Sequence, residues 1–398
     1  MDDVDLNCPA AQADPDAYFH RLRSEHGPVV WSEAHRGWLV IGHEAVATGF
    51  RHPGLSSDRT AAFDAAAGRN PPAFQRVVEL LRGWMVFRDP PAHTRLREPV
   101  RAAFTPARVG SLAPAIAAMA DSLLDEAGDG AWDFRAGFAR PLPAMVIAEL
   151  LGVPAGDRVR FQSWSDQLSL VVFTVDSRGA GSEAATQAAI AFGEYFGDLL
   201  EGYRQAPADN LLSALAGAVG PDLSAGDLVG AATLLLFAGH ETTTTLLANA
   251  VWCLAAHPGV RSALTADPGR WPDAVEELMR LAGPAKSMAR KVSEPFEWEG
   301  HRLRRGDTVF LCIGAANRDP AVFAEPDRMD LDRHPNPHMG FGWGLHHCLG
   351  AALARMEAAV ALRRVYERWP GLAPVGDGPE WAGGVLGRAA RSVVVQPA

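Results

Sequence analysis

The chain has 398 residues, 48% hydrophobic and 21% charged, which is ample apolar material for a large core in an ordinary globular protein. A formal net charge of −10 disfavours nucleic acid as the main partner. Four cysteines standing singly (Cys8, Cys253, Cys312 and Cys348), with no C-x-x-C pair, argue against a zinc knuckle and a disulfide framework.

The acidic start, Met1-Asp-Asp-Val-Asp5, lacks the basic and apolar regions of a secretion signal. The longest nearly apolar run, Leu228 to Gly239, is far short of the roughly 20 residues that span a bilayer. The expectation is a soluble, cytoplasmic, monomeric chain with no membrane partner. Lysine is confined to Lys286 and Lys291, and arginine supplies the other positive charges. Together with the abundance of Ala and Gly, this fits a GC-rich bacterial genome.

Residues 1–15 read as a flexible N-terminal arm. Asp16 to Ser24 forms a short helix, and Val29 to Trp31 pairs with Trp38 to Ile41 across a polar turn as a hairpin. A second short helix covers Glu44 to Phe50. From His52 to Pro72 the chain is rich in Gly, Ser, Asp, Pro and Ala without a period, so it reads as mostly loop.

In Arg88-Asp-Pro-Pro-Ala-His-Thr-Arg-Leu-Arg97 the prolines suit a helix start, which puts His93 and Arg97 on one face at i and i+4. Ala- and Leu-rich helical patterns follow to Gly152. Gln162 to Tyr203 is helical at both ends around a loop at Val175 to Ser182. Ser224 to His257 is the longest periodic segment, opened by a Ser224/Asp227 capping box and closed by Pro258-Gly259. Its middle, Ala238-Gly-His-Glu-Thr-Thr-Thr-Thr245, holds a glycine and four threonines, all poor helix formers. Such local conflict is often found at functional sites.

Glu277 and Arg280 lie at i and i+3 on a helix that ends before Gly283-Pro284. Phe296 to Ile313 alternates with turns at Glu299-Gly300 and Arg305-Gly-Asp307, marking a small β region. Phe341-Gly-Trp-Gly-Leu-His-His-Cys-Leu-Gly350 then packs three glycines, two histidines and a cysteine into one loop. Glycine lets backbone press close to a large ligand, and thiolate is the soft ligand that suits iron. Ala351 to Trp369 is an amphipathic helix, Gly383-Gly384-Val385-Leu386 a tight turn, and Ser392 to Val395 a last strand. With no linker and no repeat, and with β-like segments far apart in sequence, residues 16–398 read as one domain, mainly α with a minor β lobe.

The loop spacing Phe341, Gly344, Cys348, Gly350 resembles the haem-binding loop of the cytochromes P-450. Ala-Gly-x-Glu-Thr at Ala238 to Thr242, the His93/Arg97 helix, the Glu277/Arg280 pair and Arg290 occur in that family's order. The resemblance implies a haem b buried between the long helix and the cysteine loop, with Cys348 as thiolate ligand to iron and O2 as co-substrate. It implies that His93, Arg97, Arg290 and His346 meet the propionates, that Phe341 shields the sulfur, and that Gly344 and Gly350 shape the loop. Ala238 is expected to adjoin the cofactor, Gly239 to leave room for oxygen, and Glu241 and Thr242 to relay protons. Glu277 and Arg280 are structural in the family, and their third member is either Arg328 or Arg333.

No flavin or nucleotide fingerprint appears, so electrons are expected from a ferredoxin and its reductase. Residues 88–108 and 355–368 hold nine arginines against four acids, which reads as a basic docking patch. The substrate pocket is expected to use Leu234, Leu235, Ala285, Lys286, Ser287, Met288, Val385 and Leu386. These are mostly apolar, so the default substrate is a terpenoid, steroid or polyketide. Lys286 either meets a substrate carboxylate or extends outward. Oxidative coupling, peroxide-driven oxidation and a non-enzymatic haem-thiolate sensor are the alternatives.

Overall fold

The computed structural model describes residues 4–128, 130–172, 180–220, 222–376 and 378–397. They form a mainly helical protein with small β sheets. Two compact units arise, each assembled from separated stretches of chain. One comprises Met1–Ser56, Ala113–Leu142 and Thr242–Ala398; the other comprises Ser57–Leu112 and Pro143–Glu241. The uninterrupted helix Ala225–Ala255 contributes to both, with the boundary between Glu241 and Thr242.

In the first unit, the hairpin Val29–Ser32 and Gly37–Val40 is antiparallel and seeds a five-stranded sheet. Gly37–Val40 then runs parallel to Thr308–Leu311, which pairs antiparallel with Met288–Val292, and Leu55–Ser56 completes the edge. Segments remote in sequence share this sheet because their apolar faces bury together, Val40, Val46, Val292, Val309 and Leu311 among them.

The same unit corrects the reading of a loose arm. Val4, Leu6 and Ala11 are buried, the backbone N–H of Leu6 donates to His35 Nε2 at 3.0 Å, and Ser32 Oγ donates to the Val4 carbonyl. Apolar residues that find a tertiary partner dock even where local signals are weak. A helix at Thr60–Ala67 forms in the middle of the stretch expected to be mostly loop over 52–72. Its alanines favour helix intrinsically, and Phe63 and Ala66 give it a buried face.

The capping box forms as expected: Asp227 N donates to Ser224 Oγ at 3.1 Å and Ser224 N donates to Asp227 Oδ2 at 3.0 Å. The helix that it opens has 31 residues, about 45 Å at 1.5 Å per residue. It runs unbroken through the glycine and the threonines. Most of the loop expected at 175–182 lies outside the described residues, and Ala180–Gln205 is already helical.

Candidate functional site

The cysteine loop turns on two glycines in the left-handed region, Gly342 and Gly344, both at φ +68°. A Cβ on Gly344 would stand 3.2 Å from the Phe50 carbonyl and from Arg51 Cγ, so only glycine lets the loop lie this close. The loop closes where Cys348 N donates to the Phe341 carbonyl at 2.9 Å. Cys348 is exposed, whereas burial pushes the thiols of Cys253 and Cys312 up to about 11 and about 12. Of these three thiols, Cys348 has the setting of a ligand.

Phe341 is buried beneath the Arg355 guanidinium, whose carbon sits 4.2 Å from the ring centroid. Glu276 holds that arginine through Nε at 2.6 Å and a second nitrogen at 3.0 Å, and it also pairs with His338 at 2.8 Å. Burial works against the Glu276 carboxylate, but His338 and Arg355 outweigh it and bring the acid down to about 2. These residues, with Trp343 and His347, line a cleft of about 470 Å³ beside the loop. Arg290 is buried, with its guanidinium 5.7 Å over Phe50, the residue against which Gly342 and Gly344 rest. The first unit thereby brings Arg290 and the cysteine loop to a common support. His346 is half-buried and His347 exposed.

The open choice between Arg328 and Arg333 has a geometric answer. Glu277 is fully buried and accepts from Arg280 Nε at 2.7 Å and from a terminal guanidinium nitrogen at 2.8 Å. The backbone N–H of Asp330 donates to it at 2.8 Å, and Asn336 Nδ2 at 3.0 Å. Arg333 Nε stands 3.2 Å from Glu277 Oε1. Arg328 instead offers its carbonyl to Arg280 while its side chain pairs with Glu325 in solvent.

In the long helix Ala231–Phe237 and Thr243–Val251 are buried throughout, yet Ala238 and Thr242 are exposed and Glu241 is half-buried. Positions 238, 241 and 242 are spaced i, i+3 and i+4, so they share one face. Gly239 faces elsewhere: a Cβ there would come within 2.7 Å of Ile147 Cγ1, so this glycine admits the neighbouring helix Pro141–Leu151. Sequence reasoning passed over His240. It is buried, its Nδ1 lies 2.8 Å from the Leu236 carbonyl, and its Nε2 lies 3.2 Å from Glu241 Oε1. A histidine in the apolar stripe beside an acid was the signal available for it.

In the second unit, Ala92–Ala103 carries His93 and Arg97 one turn apart, His93 buried and Arg97 half-buried. Burial, with Arg97 adding to it, pushes the His93 imidazole below its usual range despite Asp89. Glu357 is a second residue missed from sequence. Its Oε1 has no hydrogen-bond partner among the described residues, and burial raises its acid to about 8. It interrupts an otherwise apolar face with Leu353 and Ala361 of Ala351–Arg368.

The structure adds the surroundings of the basic run and of the expected pocket residues. Eight of the nine arginines read as a docking patch already pair with carboxylates. Arg88, Arg95, Arg101 and Arg108 meet Asp58, Asp227, Glu98 and Asp209. Arg355, Arg363, Arg364 and Arg368 meet Glu276, Glu367, Asp121 and Asp125. Six of these eight acids lie outside the two runs. The expected substrate-facing residues of the first unit pack against two core clusters. Ala285 and Met288 pack on the sheet core, whereas Val385 and Leu386 join the N-terminal core with Leu6 and Phe19. Ser287 Oγ donates to the Leu386 carbonyl at 3.2 Å. Lys286 does not extend outward; it folds back so that Nζ donates to the Leu281 carbonyl at 3.3 Å. Leu234 and Leu235 are buried in the second unit.

No helix of the described residues is long and apolar enough to cross a membrane. A family model described as Cytochrome P450 matches residues 272–371. The chain is 39% identical over 376 residues to Cytochrome P450 107B1 of Saccharopolyspora erythraea, covering 90% of this chain and 89% of that one. It is 43% identical over 302 residues to the Mycinamicin IV hydroxylase/epoxidase of Micromonospora griseorubida, covering 74% of each. Among solved structures, the bacillaene polyketide synthase P450 PksS of Bacillus subtilis aligns with TM-score 0.87 at 32% identity, over 99% of this chain and all of that one. With its thiol loop, its acid–alcohol helix and relatives matched over most of its length, the chain belongs to the cytochrome P450 family of monooxygenases.

Proposed function

We propose that this enzyme is a haem-thiolate monooxygenase that inserts one oxygen atom of O2 into a hydrophobic small molecule, with electrons from a ferredoxin and its reductase. The observation that carries this is Cys348, exposed on a glycine-turned loop whose glycines and Arg290 share Phe50 as support. The donor set fits haem b: one soft sulfur for iron, and His93, Arg97, Arg290 and His346 as cations or N–H donors for two propionates. Haem, when bound, supplies the iron that activates O2 and the oxidising power to break a C–H bond.

The chain's own residues do the rest. With haem bound, backbone N–H groups of the loop glycines would tune the charge on the sulfur, and Phe341, pinned under Arg355, would cover its protein side. On the long helix, the Glu241 carboxylate and Thr242 Oγ1, on one face, would hold the protons that oxygen chemistry at a bound haem requires. His240, 3.2 Å from Glu241 Oε1, orients that carboxylate. Ala238, on the same face, contributes a small apolar surface. The name of PksS points to polyketide chemistry among the hydrophobic classes, and a polyketide-like substrate is the first to test. No flavin is assigned to this chain, and the protein acts as a cytoplasmic monomer.

The carbon monoxide spectrum of the reduced enzyme tests the central assignment. Wild type gives a thiolate-type Soret band and Cys348→His loses it; a wild-type band of imidazole type would overturn the proposal. Turnover of a macrolactone library with ferredoxin, reductase and NAD(P)H then separates hydroxylation from coupling and from peroxide-driven oxidation.

A further inference from the structure

A second cavity of about 400 Å³ lies within the first unit, in the size range of small-molecule sites. Its apolar walls include Phe19, Trp252, Trp381 and Val385, and its polar lining includes Lys286, Arg318 and Arg388. None of the cysteine-loop residues lines it. Of the residues expected to face substrate, only Lys286 and Val385 do.

The charges in this cavity are unevenly matched. Arg318 is satisfied by Asp16 at 3.1 Å and by Asp327 at 2.6 Å, and the Asp14 side chain caps the helix Pro15–His26 by accepting from Ala17 N. Lys286 donates only to the Leu281 carbonyl, at 3.3 Å. The Arg388 guanidinium stacks 4.5 Å over Trp381 and donates to the Gln12 carbonyl at 3.3 Å. Among the described residues neither Lys286 nor Arg388 forms an ion pair. The Lys286 stem lies across Gly314, where a Cβ would stand 3.3 Å from Lys286 Cδ, and Gly314 N donates to the Lys286 carbonyl at 3.0 Å. The glycine makes room for the folded-back lysine. Burial, with Arg318 and Arg388 adding to it against Asp16, brings the amine down to about 8. Asp16 acts on both cations and Asp14 on Arg388, but neither carboxylate pairs directly with them. A buried or half-buried cation in no direct ion pair is costly, and an anion placed between the two groups would relieve both.

We infer that this cavity is a second binding site, for an amphipathic monocarboxylate whose carboxylate accepts from Lys286 and Arg388 and whose alkyl chain lies on Phe19, Trp252 and Trp381. The site goes beyond the oxygenation chemistry and does not depend on it. The test uses ferric holoenzyme with decanoate, decanol and decylamine as probes. Binding is read by calorimetry and by the fluorescence of Trp252 and Trp381, with and without an azole that ligates the iron. The expected result is saturable decanoate binding, unchanged by the azole and on the order of tenfold tighter than decanol or decylamine. Lys286→Met and Arg388→Leu each weaken decanoate on the order of tenfold and leave decanol unchanged, with the carbon monoxide spectrum verifying their fold. Displacement of decanoate by the azole, equal affinity for decanol, wild-type affinity in both variants, or no decanoate binding at millimolar concentration would each overturn the inference. The carbon monoxide spectrum of wild type decides the haem-thiolate assignment separately.

Discussion

Arg333→Ala is expected to destabilise the enzyme by about 2–3 kcal/mol, and Arg328→Ala by less than about 1 kcal/mol. The Arg333 side chain is only 10% exposed, and its Nε stands 3.2 Å from a buried carboxylate. Its terminal nitrogens donate to the carbonyls of Ala324, Glu325 and Arg328 at 2.9–3.3 Å. Charge-assisted hydrogen bonds in such settings are worth about 1.5–3 kcal/mol each when removed singly. Arg328 is 60% exposed and pairs with a Glu325 that is 70% exposed, a class worth about 0–1 kcal/mol.

Glu277→Ala leaves Arg280, fully buried, facing no carboxylate, and should cost about 3–5 kcal/mol. Because Arg333 acts through Glu277, the double variant Glu277→Ala/Arg333→Ala should cost clearly less than the sum of the singles. Burial disfavours the Glu277 carboxylate, but Arg280, the Asp330 N–H and Arg333 hold its acid below the usual range. A depressed acid contributes stability above its unfolded value, near 4.3, and loses it as pH falls. Acid unfolding of Arg333→Ala should therefore begin at higher pH than in wild type. Urea denaturation of ferric holoenzyme, followed by far-ultraviolet circular dichroism, measures all of these. Equal losses for Arg328→Ala and Arg333→Ala, or an additive double variant, would refute the reasoning.

Three further outcomes follow from the geometry. Glu357, raised to about 8, favours the folded state below its unfolded value near 4.3 and loses that contribution as pH rises toward 8. Glu357→Gln should flatten the fall in stability over that window, and urea midpoints that decline as steeply as in wild type would refute it. Gly239→Ala gains up to about 1 kcal/mol of helix propensity but drives a methyl into Ile147, an overpacking cost of about 1–3 kcal/mol. The variant should lose net stability, and its combination with Ile147→Ala should cost less than the sum of the two singles; a stabilised single variant would contradict the packing. His240→Phe should leave the carbon monoxide band intact and lower the fraction of NAD(P)H electrons that reach product. It should also shift the pH profile of turnover, whereas a purely structural histidine would move neither.

The chemistry was legible because it is written locally. Phe341, Gly344, Cys348 and Gly350 share ten residues, and Ala238 to Thr242 share a single helical stretch, so spacing alone set their order and facing. Helix ends marked by Ser224/Asp227 and turns at Gly300 and Gly306 were likewise local, since capping and left-handed φ depend on the residue itself. Even the resemblance to cytochromes P-450 rested on such short strings.

What the tertiary structure alone decided concerns partners far apart in sequence. Arg333 and Arg328 are equally plausible as letters, and the choice depends on which guanidinium the fold carries to Glu277, 56 residues away from Arg333. The basic run lost its apparent excess because Asp121, Asp125, Asp209 and Asp227 arrive from elsewhere. Gly239 proved to be a helix-packing glycine, since Ile147 approaches it from another helix. Lys286 folds back where Gly314, on a distant segment, offers its stem a place to lie. Periodicity and capping act over a few residues, but burial and ion pairing follow distance in space, and that distance exists only once the chain is folded.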